Sequence, residues 1–222
     1  MSPIVWDAVD NYIVEKLLPH DLVLENVLKA NRDNGLPAID VSPAQGKLLN
    51  LMVRMIGARL VLEIGTLGAY STIWMARGLG TGGRVVTLES EPLHATVARE
   101  NIAMAGLSPI IEVRQGRAID SLAQLQKEGL YPFDFIFIDA DKPSNAAYLD
   151  WAVRLSRPGT VIVCDNVVRN GAVTDQFSGD RSVQGARETF DVLGGNPRLS
   201  ATALQTVGSK GYDGFAMAVV GD

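Results

Sequence analysis

Two carboxylates and one amide follow two apolar runs in the sequence. Asp139 comes directly after Phe133–Ile138. Asp165 and Asn166 come directly after Val161–Cys164. Each run is short and rich in β-branched or aromatic residues, which is typical of a strand buried in a parallel sheet. If the two strands are neighbours, the three side chains meet at one edge of the sheet, where open α/β folds bind ligands. Carboxylate and amide oxygens are the ligands that Mg²⁺ prefers, so this edge is a candidate metal site.

The rest of the sequence predicts the elements that would position these side chains. Five strand–helix units follow one another between residues 60 and 193, which predicts a doubly wound, mostly parallel α/β sheet. Two further strands, Thr202–Val207 and Phe215–Val220, would close the chain as a hairpin and give a seven-stranded sheet with one antiparallel strand. We therefore expect one domain over residues 1–222, with residues 1–40 as a helical extension at the N-terminus.

The helix before the first strand has a clear start signal. In Ser42-Pro43-Ala44-Gln45, Ser42 is a typical N-cap and Pro43 suits the first helical position. Gln45 lies where its side chain could close a capping box with Ser42. The helix is predicted to run to Gly57.

Composition excludes several classes of protein. A formal net charge of −5 argues against binding to nucleic-acid phosphates. No apolar run approaches the ~20 residues that span a bilayer, and the first ten residues lack the basic start of a signal peptide. One cysteine and two histidines make a zinc site of the usual ligands improbable and a disulfide framework impossible. These features predict a cytoplasmic protein.

A glycine-containing turn follows the first predicted strand, and an acid ends the second. Gly65 and Gly68 lie in the turn, where glycine lets the backbone approach a ligand closely. Glu89, 24 residues after Gly65, is placed to accept hydrogen bonds from both hydroxyls of a ribose. The turn lacks the full glycine pattern of a dinucleotide site, and Glu63 beside it would repel a pyrophosphate. S-adenosylmethionine (SAM), whose amine is cationic, therefore fits better than NAD.

Longer segments around these residues resemble one enzyme family, the cation-dependent O-methyltransferases, which include the caffeoyl-CoA and catechol O-methyltransferases and bacterial relatives. The resemblance covers roughly residues 36–220. It rests on the segments Val41–Gly46, Glu63–Ser71, Asp139–Lys142 and Asp165-Asn166. One departure is Gly68-Ala69 before Tyr70-Ser71, where the family usually has Thr or Cys followed by Gly.

The resemblance implies a role for each matching residue. Asp139, Asp165 and Asn166 would bind the divalent cation, most simply Mg²⁺, and Asn170 would lie near the acceptor. The cofactor would be held at its amino-acid end, at its ribose and at its adenine by Val41, Glu63, Gly65, Thr66, Ser71, Glu89, Ala118 and Asp141.

Lys142, three residues after Asp139, is the candidate catalytic base. The implied reaction transfers a methyl group from SAM to a hydroxyl of a vicinal diphenol or its acyl conjugate. A bound cation would activate the hydroxyl, and Lys142 would remove the remaining proton if burial and the cation favour its neutral form. Without such a site, Lys142 would be a solvated lysine or an ion-pair partner of Asp141. Two other functions stay open: a nicotinamide-dependent oxidoreductase, and a SAM-binding protein without catalysis, which would not need Asp139 and Lys142.

The surface composition predicts a homodimer. Charged residues make up 20% of the chain, slightly few for a soluble domain, which indicates surface buried between subunits. Within residues 4–34, the sequence predicts two helices that carry apolar stripes and need a surface to cover. They would serve as the dimer contact or as a lid over the site.

Overall fold

Eight α-helices and seven β-strands are present in residues 3–222, the part of the chain that the computed structural model describes. The helices are α1 (Pro3–Leu17), α2 (Leu22–Asp33), α3 (Pro43–Met55), α4 (Tyr70–Ala76), α5 (Pro92–Met104), α6 (Ala118–Lys127), α7 (Asn145–Arg154) and α8 (Arg181–Gly195). The strands are β1 (Leu60–Ile64), β2 (Arg84–Glu89), β3 (Ile111–Gln115), β4 (Phe133–Ile138), β5 (Ser156–Asp165), β6 (Leu199–Gly208) and β7 (Gly211–Val220). None of these helices is long and apolar enough to cross a membrane.

The seven strands form one sheet in the order β3-β2-β1-β4-β5-β7-β6. Strands β1 to β5 pair with one another in parallel, and β7 is antiparallel to both β5 and β6. The predicted doubly wound sheet with one antiparallel strand is therefore confirmed. The chain winds from β1 outward to β3 and then returns to β4 on the other side of β1. This reversal opens a crevice at the carboxyl ends of β1 and β4, which is where such folds bind ligands.

The central strands are apolar because helices cover both faces of the sheet. In β4, Phe135 and Phe137 pack into the core on one face, whereas Ile136 and Ile138 pack into the core on the other. All four side chains are fully buried. Burial of each such side chain contributes ~1.5–3 kcal/mol to folding. The residues that end β4 and β5 are therefore held by a rigid platform.

The closing hairpin is longer than predicted. The strands span Leu199–Gly208 and Gly211–Val220, rather than the segments 202–207 and 215–220. The outer strand β6 is the edge of the sheet, and most of its residues are exposed. The polar residues at its ends still pair with β7, but they lack the apolar pattern of a buried strand, so the sequence did not reveal them.

The two N-terminal helices pack differently. Helix α2 buries Leu24, Val27 and Asn31, and the side chain of Asp21 caps its first turn. Helix α1 has no buried residue, and its predicted apolar stripe lies at the surface, with Val9 50% and Leu17 70% exposed. The helical extension thus consists of one docked helix and one helix with a free apolar surface.

Candidate functional site

A cavity of about 660 Å³ lies at the carboxyl ends of the central strands. Its wall includes ten of the predicted site residues: Val41, Gly65, Thr66, Ser71, Glu89, Ala118, Asp139, Asp141, Lys142 and Asn166. Three others do not line it. Glu63 lies beneath it with no exposed surface, Asp165 lines a neighbouring cavity, and Asn170 is exposed and lines neither. The fold therefore gathers most of the predicted residues around one space.

The turn after β1 needs its glycines for two different reasons. Gly65 has a φ of +99°, in the left-handed region, and a Cβ there would collide with the backbone of Asp139. Gly68 faces the side chain of Asn31, which leaves no room for a Cβ. Ala69, which stands where the family usually has glycine, has a φ of +68°, which is strained for a residue with a side chain.

A network of amides fixes this turn to the rest of the chain. Asn101 on α5 donates to the carbonyl of Gly68 at 2.9 Å and to Oδ1 of Asn31 at 3.0 Å. Asn31 in turn donates to Asp40 at 2.8 Å. Asp40 lines the cavity next to Val41, and burial raises the pKa of its carboxyl. Helix α2 thereby connects the glycine turn to the segment before α3, a link between distant parts of the chain that the sequence did not indicate.

Glu63 is surrounded by hydroxyl groups. Its carboxylate accepts hydrogen bonds from Ser71 at 2.5 Å, from Thr87 at 2.6 Å and from Thr72. Burial raises the pKa of Glu63 from 4.5 to about 7, which the three hydroxyl donors only partly oppose. Ser71 lines the cavity and Glu63 does not, so a ligand in the cavity meets the hydroxyl, with the carboxylate behind it.

The side chain of Glu89 binds backbone N–H groups of the glycine turn. One carboxylate oxygen accepts from the N–H of Thr66 at 3.2 Å and of Leu67 at 2.8 Å, and the other accepts from the N–H of Glu91 at 2.9 Å. The side chain is buried yet lines the cavity. Carboxylate oxygens can accept further bonds, so the predicted contact with a ribose stays compatible with this arrangement. Glu89 thus both shapes the turn and faces the space beside it.

The ends of β4 and β5 bring two carboxylates and a lysine together. Lys142 is only 7% exposed and donates to Oδ1 of Asp139 at 3.0 Å. Burial raises the pKa of Asp165 well above its usual range, and the charge of Asp139 raises it further. The surface-lysine interpretation of Lys142 is therefore wrong, and so is the proposed pair with Asp141.

The side chain of Gln45 bonds to Asp165 and does not close the predicted capping box. Ser42 caps α3 as predicted, because its Oγ accepts from the N–H of Gln45 at 3.2 Å. The Gln45 side chain, however, donates to Oδ2 of Asp165 at 2.7 Å, while the N–H of Asn166 donates to Oδ1 at 2.9 Å. A buried carboxylate needs donors, and this need outweighs the local cap. Only a capping role could be predicted for Gln45 from the sequence, because its partner lies 120 residues away.

Asp141 is engaged by its neighbours. It accepts hydrogen bonds from Ser144 at 2.5 Å and from the hydroxyl of Tyr148 at 2.6 Å, and all three residues line the cavity. Burial and the charge of Asp141 raise the pKa of Tyr148 to about 12, so this hydroxyl stays a donor at neutral pH. Tyr148 is a cavity residue that the sequence reasoning missed, because it appeared only as part of a helical pattern.

A second cavity, of about 270 Å³, adjoins the first through Asn166, which lines both. It lies between the start of α3 and the β6–β7 hairpin, and its wall includes Gln45, Asp165, Lys210 and Asp213. Asn166 has a φ of +54°, so a left-handed turn holds the chain at the junction between the two spaces.

The side-chain oxygens that could hold a cation at this junction come from two carboxylates, Asp139 and Asp165, and one amide, Asn166. Within residues 3–222, no three His, Cys, Asp or Glu side chains gather as a metal-binding group. A cation here would consequently depend on the amide oxygen of Asn166 as the third side-chain ligand. Carboxylate and amide oxygens suit a hard cation such as Mg²⁺, and a second positive charge would relieve the repulsion between Asp139 and Asp165.

Comparison with known proteins places this arrangement among known folds. Residues 15–212 match the O-methyltransferase family. The chain is 51% identical to a catechol O-methyltransferase from Niastella koreensis, over 99% of this chain and 100% of that protein. The crystal structure of an O-methyltransferase from Bacillus cereus in complex with SAH is 60% identical, with a TM-score of 0.98 over 99% of this chain and 100% of that one. The O-methyltransferase TomG from Streptomyces achromogenes, in complex with SAM, is 46% identical, with a TM-score of 0.96 over all of both chains.

Proposed function

The chain belongs to the O-methyltransferase family, and from this premise we propose that it methylates one hydroxyl of a catechol-like small molecule with the help of a divalent cation. It is an enzyme that transfers a methyl group from SAM to oxygen. This assignment removes the nicotinamide oxidoreductase that the sequence left open. The identity of the acceptor and the need for a cation are the parts of the proposal that go beyond this reaction class.

The observation that carries the proposal is the pairing of Asp139 and Asp165 beside a buried lysine. Burial raises the pKa of Asp165, the charge of Asp139 raises it further, and Gln45 contributes only a neutral donor. Asp139, Asp165 and Asn166 would hold the cation. When bound, it would lower the pKa of a coordinated hydroxyl and fix its oxygen in place. A vicinal diphenol suits such a site because two adjacent oxygens can share one cation.

Lys142 would take the proton that leaves the acceptor hydroxyl. It lines the same cavity as Asn166, and its hydrogen bond to Asp139 positions its amine there. The acceptor oxygen then forms its bond to the methyl carbon as the bond between that carbon and sulfur breaks. Asp139 both positions this amine and belongs to the proposed cation site, and for this reason we count it with Lys142 in the catalytic machinery.

The other end of the cavity would hold SAM. Val41, Gly65, Thr66 and Ser71 surround the proposed place of its amino-acid portion, with Glu63 behind Ser71. Glu89 would accept the ribose hydroxyls, Ala118 would border the adenine, and Asp141 would also lie against the cofactor. Holding both reactants in one cavity supplies most of the catalysis, because methyl transfer depends on alignment of the reacting atoms.

We also propose a homodimer that uses α1 and the edge strand β6. These two elements pack together, and both expose apolar side chains, including Ile4 (79%), Tyr12 (63%) and Leu204 (57%). An exposed apolar surface of this kind is typical of an interface between copies. Light scattering at micromolar concentration tests this part, and a mass equal to one 23.8 kDa chain contradicts it.

A methyl-transfer assay with positional isomers tests the acceptor. The enzyme is incubated with SAM, Mg²⁺ and either catechol or its 1,3-isomer resorcinol, and the O-methylated product is quantified. Methylation of the 1,2-isomer with little or none of the 1,3-isomer is expected, since only adjacent oxygens can share one cation. Equal rates on the two isomers, or no methylation of any vicinal diphenol, would contradict the proposal.

A further inference from the structure

Helix α8 packs against the turn that carries Lys142. This turn, Lys142–Ser144, is a short 3₁₀ helix between the end of β4 and the start of α7. Gly185 on α8 is buried against it, and a Cβ at this position would lie 2.1 Å from the carbonyl oxygen of Lys142 and 2.5 Å from its carbonyl carbon. Only glycine allows two backbones to approach each other this closely. The position of α8 therefore sets the position of the Lys142 backbone.

A second contact joins α8 to the residue that follows this turn. Asn145 donates from Nδ2 to Oγ1 of Thr189 at 3.2 Å, and Thr189 donates to the carbonyl of Gly185 at 2.8 Å. Gly185 and Thr189 are four residues apart and hence lie on the same face of α8. Asn145 and Thr189 are both fully buried. The turn is consequently held against α8 at both of its ends.

The side chain of Lys142 is restrained at its far end as well. Its Nζ donates to Oδ1 of Asp139 at 3.0 Å, and the residue is almost completely buried at the wall of the cavity. A lysine side chain is a flexible stem, so a bond at the amine alone would not fix its course from the backbone. Restraint at both ends limits the positions that the amine can reach. A displacement of the Lys142 backbone would therefore move the amine relative to Asp139 and to an acceptor in the cavity.

We propose that Gly185 is a positioning residue for the methyl transfer, because its missing side chain lets α8 hold the Lys142 turn where the amine can take the proton of the acceptor hydroxyl. The inference rests on the proposed function, in which Lys142 is the base, and it adds a residue that does not line the cavity. Alanine at position 185 would push the two backbones about 1 Å apart, since other heavy atoms do not approach a Cβ within 3.0 Å. Misplacement of a catalytic group by ~1 Å can cost ~10²-fold in rate, even when the mutation is far from the chemistry.

The test combines Gly185→Ala with Lys142→Met and measures kcat for catechol in the presence of Mg²⁺, with SAM labelled in its methyl group so that slow rates can be quantified. Gly185→Ala alone should lower kcat by ~10- to 100-fold and leave the Kd of SAM, measured by titration calorimetry, nearly unchanged. In the Lys142→Met background there is no amine to position, so Gly185→Ala should change kcat by less than ~2-fold. This double-mutant cycle isolates the part of the effect that depends on Lys142.

Gly194→Ala is the matched control in the same helix. Gly194 is exposed, and within residues 3–222 a Cβ there would meet no atom of another element within 4 Å. Alanine is the better helix former at both positions, so helix propensity alone would stabilise both variants. Gly194→Ala should keep the native kcat and unfold at the native urea concentration or above it.

Thr189→Val provides a second test that does not depend on the folding of Gly185→Ala. It keeps the size of the side chain and removes the acceptor for Asn145. The turn after Lys142 should be held less firmly, so kcat should fall by ~2- to 10-fold, the range for losing a neutral hydrogen bond. This fall, too, should be absent in the Lys142→Met background.

The outcomes separate this inference from the proposed function. A native kcat in Gly185→Ala, or an equal fall in kcat with and without Lys142, overturns the inference, because the glycine would then support the fold in general. A loss of SAM affinity as large as the loss of kcat would locate the effect at the cofactor and overturn it as well. A native enzyme that methylates no vicinal diphenol, or a Lys142→Met variant with the native kcat, contradicts the proposed function itself, and the inference falls with it.

Discussion

The two ends of the candidate site treat their buried carboxylates differently. At the glycine turn, Glu63 is surrounded by three hydroxyls and Glu89 by three backbone N–H groups, all of them neutral donors from nearby elements. At the ends of β4 and β5, burial and the charge of Asp139 both raise the pKa of Asp165. Among the described residues, Lys142 is the one cationic side chain that bonds to this pair, and it bonds to Asp139, whereas Asp165 accepts from Gln45 and from the N–H of Asn166.

The difference indicates how each end works. Neutral donors fix the shape of the glycine turn before any ligand arrives, so this end binds by complementarity with little rearrangement. The other end keeps two like charges in a buried place, where repulsion favours a cation. We therefore expect the two ends to respond differently to the same treatments, and the following experiments measure that difference.

Metal removal should have the largest effect, and it should act at one end only. Dialysis against a chelator should reduce methyl transfer by ~10³-fold or more, since a cation contributes several kcal/mol to activation of the hydroxyl. Added Mg²⁺ should restore the rate. SAM binding, measured by titration calorimetry, should change much less, because the glycine turn is formed by neutral donors. Full activity in thoroughly stripped enzyme would remove the cation from the proposal.

Loss of Lys142 should come next. Lys142→Met removes the proton acceptor and leaves the proposed cation ligands in place, so kcat should fall by ~10²–10⁴-fold. The affinity for SAM should change little. Lys127→Met, an exposed lysine at the end of α6, serves as the control. An unchanged kcat at neutral pH would leave Lys142 with only a structural role as the partner of Asp139.

Much of this contrast was visible in the sequence because it depends on where strands end. Asp139, Asp165 and Glu89 each stand at or directly after the end of a buried apolar run, and in a parallel sheet such ends share one edge. The sheet was predictable for the same reason, since burial on both faces produces continuous apolar runs. The edge strand β6, which is mostly exposed, lacks that pattern, and its ends were missed.

The residues that escaped prediction act through contacts between distant parts of the chain. Asn31 reaches Gly68 by way of Asn101, which lies 70 residues further along the chain. Gln45 reaches Asp165, and its local pattern pointed to a capping box. Gly185 meets the backbone of Lys142, and a glycine inside a helical pattern gives no sign of that contact in the sequence. Spacing along the chain reveals strand ends, but it does not reveal which side chains meet across the fold.

Loss of Glu89 should weaken the glycine-turn end by a smaller amount. Glu89→Ala removes the acceptor for the N–H groups of Thr66 and Leu67 as well as the proposed ribose contact. We expect SAM binding to weaken by ~1–3 kcal/mol, or roughly 10- to 100-fold in Kd. Glu100→Ala on the exposed side of α5 is the control. If calorimetry shows the same Kd for SAM in Glu89→Ala, the turn keeps its shape without this carboxylate. The proposed role of Glu89 at the glycine-turn end would then be wrong.

The smallest expected effect concerns Glu63 and the pH dependence of stability. The pKa of Glu63 is about 7 in the folded chain, against an ordinary value of 4.5. Between these values the folded chain holds a proton that the unfolded chain has lost, so the unfolded state binds fewer protons and stability falls as pH rises. The stabilisation is complete below about pH 4.5 and lost as pH rises through about 7.

Glu63→Gln removes this titration and keeps the size of the side chain. Urea unfolding of the cofactor-free protein at pH 5 and pH 8 gives the loss of unfolding free energy over that interval. The loss should be smaller in Glu63→Gln than in the native chain, by on the order of 1 kcal/mol, since one pKa unit corresponds to about 1.4 kcal/mol. Asp165 titrates in the same direction in both proteins, so the difference between them isolates Glu63. Equal losses in the two proteins would mean that the hydroxyls of Ser71, Thr72 and Thr87 offset burial completely and keep Glu63 ionised in the folded chain.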